Sequence, residues 1–256
     1  MKTVVVTGAA QGVGLVTTRH FAELGWHVVM TDIQPLESQA AKLAQHGHSV
    51  SHLSGDQASP DFVAALAEQV RSENGQADAL VNNAGISMIC PAEDTSLDQW
   101  NRVLSVNLTG PFLLCQAFGA QMLAGHGGAI VNVASIAGLR GVIHRSAYNA
   151  SKHGLVGLTH TLASEWGGRG VRVNAVCPGW IKTEMDEKDM GSGAYTDADI
   201  VNRVPMARFA RPEDVASAIA YLCSDGAAFI NGASLPVDGG WTADASWDAL
   251  RLKTRA

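Results

Sequence analysis

A β-branched run, Val4-Val5-Val6-Thr7, breaks at Gly8-Ala9-Ala10-Gln11-Gly12-Val13-Gly14 and resumes as a helical pattern over residues 13–24. Strand, glycine turn and helix in that order confine the chain to few folds. Glycines let the backbone approach an anionic group closely, and the helix N-terminus offers that group unpaired N–H donors and a partial positive charge. Such turns also serve as plain connectors, so their surroundings decide. A second short strand, residues 27–31, ends at Asp32, 18 residues beyond Gly14. An acid at that distance suits the ribose hydroxyls of a dinucleotide; a helix cap is the other use of the same side chain. As a ribose ligand it would repel the 2′-phosphate of NADP, by up to ~4 kcal/mol for unit charges about 4 Å apart at an effective dielectric near 20. No Lys or Arg stands in the turn, where Gln11 is neutral. NAD is the expected cofactor, with Gly8, Gln11, Gly12, Val13, Gly14 and Asp32 as expected contacts.

The alternation continues along the chain. Residues 50–53, 79–81, 129–134, 171–176 and 233–237 read as further strands. Residues 35–45, 61–73, 97–106, 111–123, 147–166 and 212–223 read as helices, the third element of this kind opened by Ser59 as a cap and Pro60 in the first turn. Strands that are almost wholly apolar, separated by helices, predict an α/β fold: one doubly wound Rossmann-type domain over residues 1–256 with a seven-stranded parallel sheet. With 46% hydrophobic and 16% charged residues, the material for a large core is present and a disordered chain is excluded. Residues 179–205 form the one long irregular stretch, expected to be a substrate lid.

A net charge of −6 supplies no basic surplus to neutralise phosphates, so no nucleic-acid partner is expected. No apolar run reaches the roughly 18 residues of a membrane helix, and residues 1–6 are too short for a signal-peptide core. Cys90, Cys115, Cys177 and Cys223 stand far apart with no Cys-x-x-Cys pair, which suits free thiols in the cytoplasm and no metal site.

Tyr148 and Lys152 are i and i+4 at the start of a helix and project from one face. A tyrosine near its reference pKa of ~10 is a poor acid or base at neutral pH; a neighbouring ammonium stabilises the phenolate. Alone, such a pair is commonly surface chemistry. Ser135 adds to it, since it directly follows the strand 129–134, at the carboxyl end where open α/β sheets bind ligands.

At these residues the chain resembles the short-chain dehydrogenase/reductase family, over nearly its whole length. The resemblance rests on Thr7-Gly8-x-x-x-Gly12-x-Gly14, Asn82-Asn83-Ala84-Gly85, Asn107, Ser135, Tyr148-x-x-x-Lys152, Pro178-Gly179 and Val237-Asp238-Gly239-Gly240. It implies that Tyr148 is the acid/base, that Ser135 holds the substrate oxygen, and that Lys152 binds the nicotinamide ribose and lowers the tyrosine pKa. It implies that Asn107 bends its helix and holds a water joining Lys152 to solvent. Asn83, Ala84 and Gly85 resemble the stretch beside the adenosine ribose, and Asp56 with Gln57 the adenine contacts. Pro178, Gly179, Ile181 and Thr183 resemble the segment around the nicotinamide carboxamide. The reaction so implied is hydride transfer between NAD and a secondary alcohol or its ketone; a homotetramer is implied as well. The long apolar helices and the tail residues Trp247, Leu250 and Leu252 are compatible with that assembly, and a buried core would explain the helices equally.

The substrate end is less determined. Arg145, three residues before Tyr148, sits where the 3-hydroxybutyrate dehydrogenase branch carries a base for the substrate carboxylate, with His144 beside it. That branch's early polar pocket residue is matched only by Ser87, and its histidine after the catalytic serine is absent. Solvated loop charges are the other reading of Arg140 and Arg145. The lid carries six acids, Glu184, Asp186, Glu187, Asp189, Asp197 and Asp199, against Lys182 and Lys188, which would not attract an anion. Met185, Met190 and Trp180 are expected to close over an apolar substrate. A neutral secondary alcohol, polyol or sugar is therefore expected first and a 3-hydroxy acid second. A 3-oxoacyl-carrier-protein-type reductase is disfavoured by Asp32, and a non-catalytic NAD-binding scaffold by the intact Ser135, Tyr148 and Lys152. His153, Trp100 and Trp241 are expected to have no chemical role.

Overall fold

The computed structural model describes residues 1–182 and 196–253. Seven strands form one parallel sheet: β1 (Thr3–Thr7), β2 (His27–Asp32), β3 (Val50–Ser54), β4 (Ala79–Asn82), β5 (Gly128–Val133), β6 (Val171–Pro178) and β7 (Ser234–Val237). Their order is β3-β2-β1-β4-β5-β6-β7. The chain winds outward from β1 in one direction and from β4 in the other. A crevice therefore opens at the carboxyl ends where the winding reverses.

Side-chain alternation divides the sheet between two cores. Val4, Val6, Val28 and Met30 pack on one face with Phe21 of α1 (Gly12–Glu23) and Val215 and Ile219 of a late helix, Pro212–Cys223. Val5, Val29, Leu80 and Ile130 pack on the other with Leu66 and Val70 of a helix over Pro60–Asn74 and with Leu114, Phe118 and Met122. Both faces are covered, which is why the strands read as continuous apolar runs. Ser59 caps Pro60–Asn74 by accepting the Phe62 N–H at 3.4 Å.

One correction concerns residues 97–123. The expected two helices are a single helical path. In chain order α2 is Glu37–Gln45, α3 is Pro60–Asn74, α4 is Leu97–Leu104 and α5 is Gly110–Ala124, with a π-helical turn at Ser105–Thr109 joining the last two. Pro111 looks like a helix start because it lacks an N–H to give the carbonyl of Asn107, four residues back. The ladder instead slips by one residue, and the Gly110 N–H donates to the carbonyl of Ser105. End to end, Leu97–Ala124 is long and apolar enough to cross a bilayer by composition; half of its apolar window is packed inside the fold, against α3, β4 and β5. The remaining helices are α6 (Ser146–Trp166), α7 (Asp197–Arg203), α8 (Pro212–Cys223) and α9 (Asp248–Lys253).

Candidate active site

A cleft of about 480 Å³ runs across the carboxyl ends of the strands. The glycine turn forms its floor. Gly8 and Gly12 hold φ of +68° and +54°, a region that favours glycine. A Cβ on Gly8 would lie 2.8 Å from Asn83 Nδ2. Gln11, which caps α1, makes no side-chain hydrogen bond to the first turn, so those N–H groups are left for a ligand. Gly14 does not line the cleft. A Cβ there would stand 1.9 Å from the Gly8 carbonyl oxygen, so this glycine seats the helix against the turn.

Asp32 caps no helix: the N-cap positions of the helices Gly12–Glu23 and Glu37–Gln45 are Gln11 and Leu36. Asp32 lines the cleft, and its carboxylate accepts the N–H groups of Ala10 at 3.0 Å and Gln34 at 2.9 Å. Asn83, Ala84 and Gly85 also line the cleft, but the Asn83 amide turns onto the carbonyl of Thr7 at 2.9 Å. The Thr7 hydroxyl in return accepts the N–H groups of Asn83 and Ala84. Gln57 is buried in the cleft wall and donates to the carbonyls of Ala84 and Val106, tying the loop after β3 to the loop after β4 and to the helical path at Val106. Asp56 accepts the Ala58 N–H at 2.9 Å and Arg102 Nη1 at 3.0 Å. Burial works to raise its pKa, yet those two donors hold the carboxyl below the usual range.

Ser135 follows β5, and its hydroxyl accepts the Ala137 N–H at 3.1 Å as the chain enters a short 3₁₀ turn. Tyr148 and Lys152 lie one turn apart on α6, and both line the cleft with Ser135. Lys152 is only 4% exposed; its ammonium donates to the Val133 carbonyl at 2.8 Å and stands 5.7 Å from the Tyr148 ring centroid. Desolvation lowers its pKa to about 8. Burial drives the nearby Cys177 thiol the other way, to about 11, against the pull of the Ser135 N–H and Lys152. Asn107 sits in the π turn, wholly buried and outside the lining of the cleft. Its amide accepts the Ile86 N–H at 2.9 Å and donates to the Ile86 carbonyl at 2.9 Å and to Ser151 Oγ at 3.1 Å. Gly85 lies between: a Cβ there would be 3.2 Å from Asn107 Oδ1 and 3.6 Å from Lys152 Nζ.

The structure decides the reading of Arg145. Its side chain is no solvated loop charge: the residue is 8% exposed, lines the cleft and donates to Ser87 Oγ. The guanidinium lies 6.0 Å from the Tyr148 ring centroid and 5.6 Å from that of Trp180. Trp180 lines the cleft beside it. Arg140 is exposed. His144 needs correction as a substrate candidate: it is exposed, is absent from the cleft lining and adopts φ of +58°. Its carbonyl accepts the Cys90 N–H, so it shapes the turn that delivers Arg145. Pro178, Gly179 and Ile181 line the cleft; Thr183, Met185 and Met190 lie outside the described residues. Of the lid acids, Asp197 pairs with Lys182, and the Asp199 carboxylate accepts the N–H of Thr196, the cap of α7, at 2.8 Å.

Sequence reasoning missed Arg102 and Ser151. Arg102 is four residues before Val106, hence on the same helix face, and both line the cleft. The expected helix over residues 97–106 carries them both, but nothing in its pattern says which of its faces meets the cleft.

A family model described as enoyl-(acyl carrier protein) reductase matches residues 8–242. D-threitol dehydrogenase of Mycolicibacterium smegmatis is 43% identical over 243 residues, covering 94% of this chain and 93% of that protein. D-beta-hydroxybutyrate dehydrogenase of Rhizobium meliloti is 36% identical over 257 residues, covering 94% and 99%. The solved gluconate 5-dehydrogenase of Burkholderia cenocepacia J2315, in complex with NADP and tartrate, is 29% identical with a TM-score of 0.90, covering 95% and 96%.

Proposed function

This chain belongs to the short-chain dehydrogenase/reductase family and is an oxidoreductase, and we propose that it interconverts a secondary alcohol or polyol with its ketone, using NAD. The observation that carries this reading is a single cleft lined both by the glycine turn and by Ser135, Tyr148 and Lys152. The turn fits a dinucleotide: positive-φ glycines, no room for a Cβ at Gly8 and an uncapped helix N-terminus form a cradle for an anion.

When bound, the nicotinamide supplies hydride chemistry, and the protein supplies position and a path for the proton. Tyr148 takes the alcohol proton in oxidation and returns it in reduction. The Ser135 hydroxyl holds the substrate oxygen. Lys152, whose ammonium stands 5.7 Å from the Tyr148 ring centroid and whose pKa burial lowers to about 8, stabilises the phenolate and reaches for the nicotinamide ribose. Asn107 acts as a positioning residue, because its amide is committed to Ile86 and Ser151. Asp32, oriented by two backbone N–H groups, supports NAD over NADP. We take the active form to be a cytoplasmic homotetramer.

A second reading, a hydroxy acid as substrate, is favoured by Arg145, a buried cation beside Tyr148.

The test is a reduction screen over secondary alcohols, polyols, sugars and 3-hydroxy acids with NAD and with NADP. Turnover of a secondary alcohol with NAD preferred is expected, and preference for NADP would refute the Asp32 argument. Tyr148→Phe should lower turnover by at least about 10²-fold while leaving nucleotide affinity nearly unchanged. Undiminished turnover in that variant would sink the mechanism.

A further inference from the structure

Arg102 is a cation in the cleft wall for which the mechanism above has no use. It lies on α4 and reaches the loop after β3, the edge strand, by its bond to Asp56 at 3.0 Å. Ser135 follows β5, four strands further across the sheet, about 19 Å at ~4.8 Å per strand. Arg102 therefore belongs to the end of the cleft remote from the proton chemistry.

Two apolar side chains line the same end. Val106 is one helical turn beyond Arg102, and Ile33, next to Asp32, is 63% exposed although it is a large apolar residue. A planar, weakly polar ring would cover such surfaces. Asp56 already counters the charge of Arg102, so the guanidinium is a poor partner for a further phosphate. Half of its side chain nevertheless remains exposed. A guanidinium held along one edge by a carboxylate still offers its flat faces, which stack on aromatic rings.

We infer that Arg102 forms one wall of the adenine subsite, its guanidinium held by Asp56 and stacked on the purine. This rests on the cleft taking a dinucleotide, so the experiment separates the two. Calorimetric titration of the full chain with ADP-ribose and with 2′-phospho-ADP-ribose reads the subsite without turnover. Arg102→Ala should weaken ADP-ribose about five-fold, as expected for a cation–π contact at a half-exposed site. Arg102→Lys, which keeps charge but loses the plane, should weaken it to a similar degree. Arg102→Met keeps the packed stem and should match Arg102→Ala, guarding against a folding defect.

Unchanged affinity in Arg102→Ala overturns the inference. So does full affinity in Arg102→Lys, which would make the residue a point charge, and so does a loss confined to the 2′-phosphorylated ligand. Failure of the wild-type chain to bind either nucleotide overturns the dinucleotide reading along with it.

Discussion

Lys152 is held in a position that is costly for the fold and useful for the chemistry. Its pKa, lowered to about 8 by burial, lies below the 10.5 of an unperturbed lysine, so between those values the unfolded chain binds a proton that the folded chain does not. Stability from this group rises with pH through that window, and below it the buried ammonium is a burden. Lys152→Met should therefore unfold at a higher temperature relative to wild type at pH 7 than at pH 10.5. Thermal denaturation at both pH values checks this, and a difference that is constant or widens with pH contradicts it. Arg145 is the residue on which the two proposed substrate classes divide. Its guanidinium, set between Tyr148 and Trp180, would pair with a carboxylate more strongly than with a hydroxyl. Arg145→Gln should raise KM for 3-hydroxy acids about ten-fold or more, with little change for polyols. Equal effects on both classes would assign Arg145 to packing. The type and spacing of Ser135, Tyr148 and Lys152 were legible in the sequence. The burial of Arg145 was not, because a charge three residues before a helix reads the same whether it faces water or a cleft.

Among the elements, the glycine turn and the π turn show opposite degrees of legibility. The turn is local: strand, glycines and helix follow within one short segment, and backbone sterics at Gly8, Gly12 and Gly14 demand the residue that is present. Gly14→Ala would force a methyl to 1.9 Å from the Gly8 carbonyl oxygen and 2.6 Å from Asn83 Nδ2. It should destabilise the chain by about 1–3 kcal/mol and weaken nucleotide binding at least about ten-fold. Denaturant unfolding and nucleotide titration measure the two, and a variant with wild-type values on both would show that the turn relaxes freely. The π turn is tertiary. Pro111 reads as a helix start, yet α4 and α5 continue through it because Asn107 is held by Ile86 and Ser151 from other parts of the chain. Pattern reading stops at the proline, since those partners are distant in sequence.

At the scale of the whole molecule, the parallel strand order places every loop of the site at the carboxyl ends of the strands. Apolar runs and alternation made the parallel sheet legible, whereas the register that aligns Ser135, Asn83 and Gly8 comes from strand pairing. Phe112, 43% exposed on α5, and Tyr221, 49% exposed on α8, leave apolar surface on two outer helices. A homotetramer would cover such surface. Sedimentation should give a particle about four times the 26.8 kDa of one chain, and single-chain particles would rule that assembly out.

Local chemistry was determined by the sequence alone: a close-approach turn, an acid at the end of the second strand and a phenol next to an amine one turn along a helix. Each follows from backbone geometry or helical period over a few residues. Tertiary structure decided which charges are desolvated. Arg145 and Lys152 are buried in the cleft, Arg102 is pinned by Asp56, and His144 is turned outward. Desolvation depends on what packs against a group from remote segments, and a linear pattern carries no term for those neighbours.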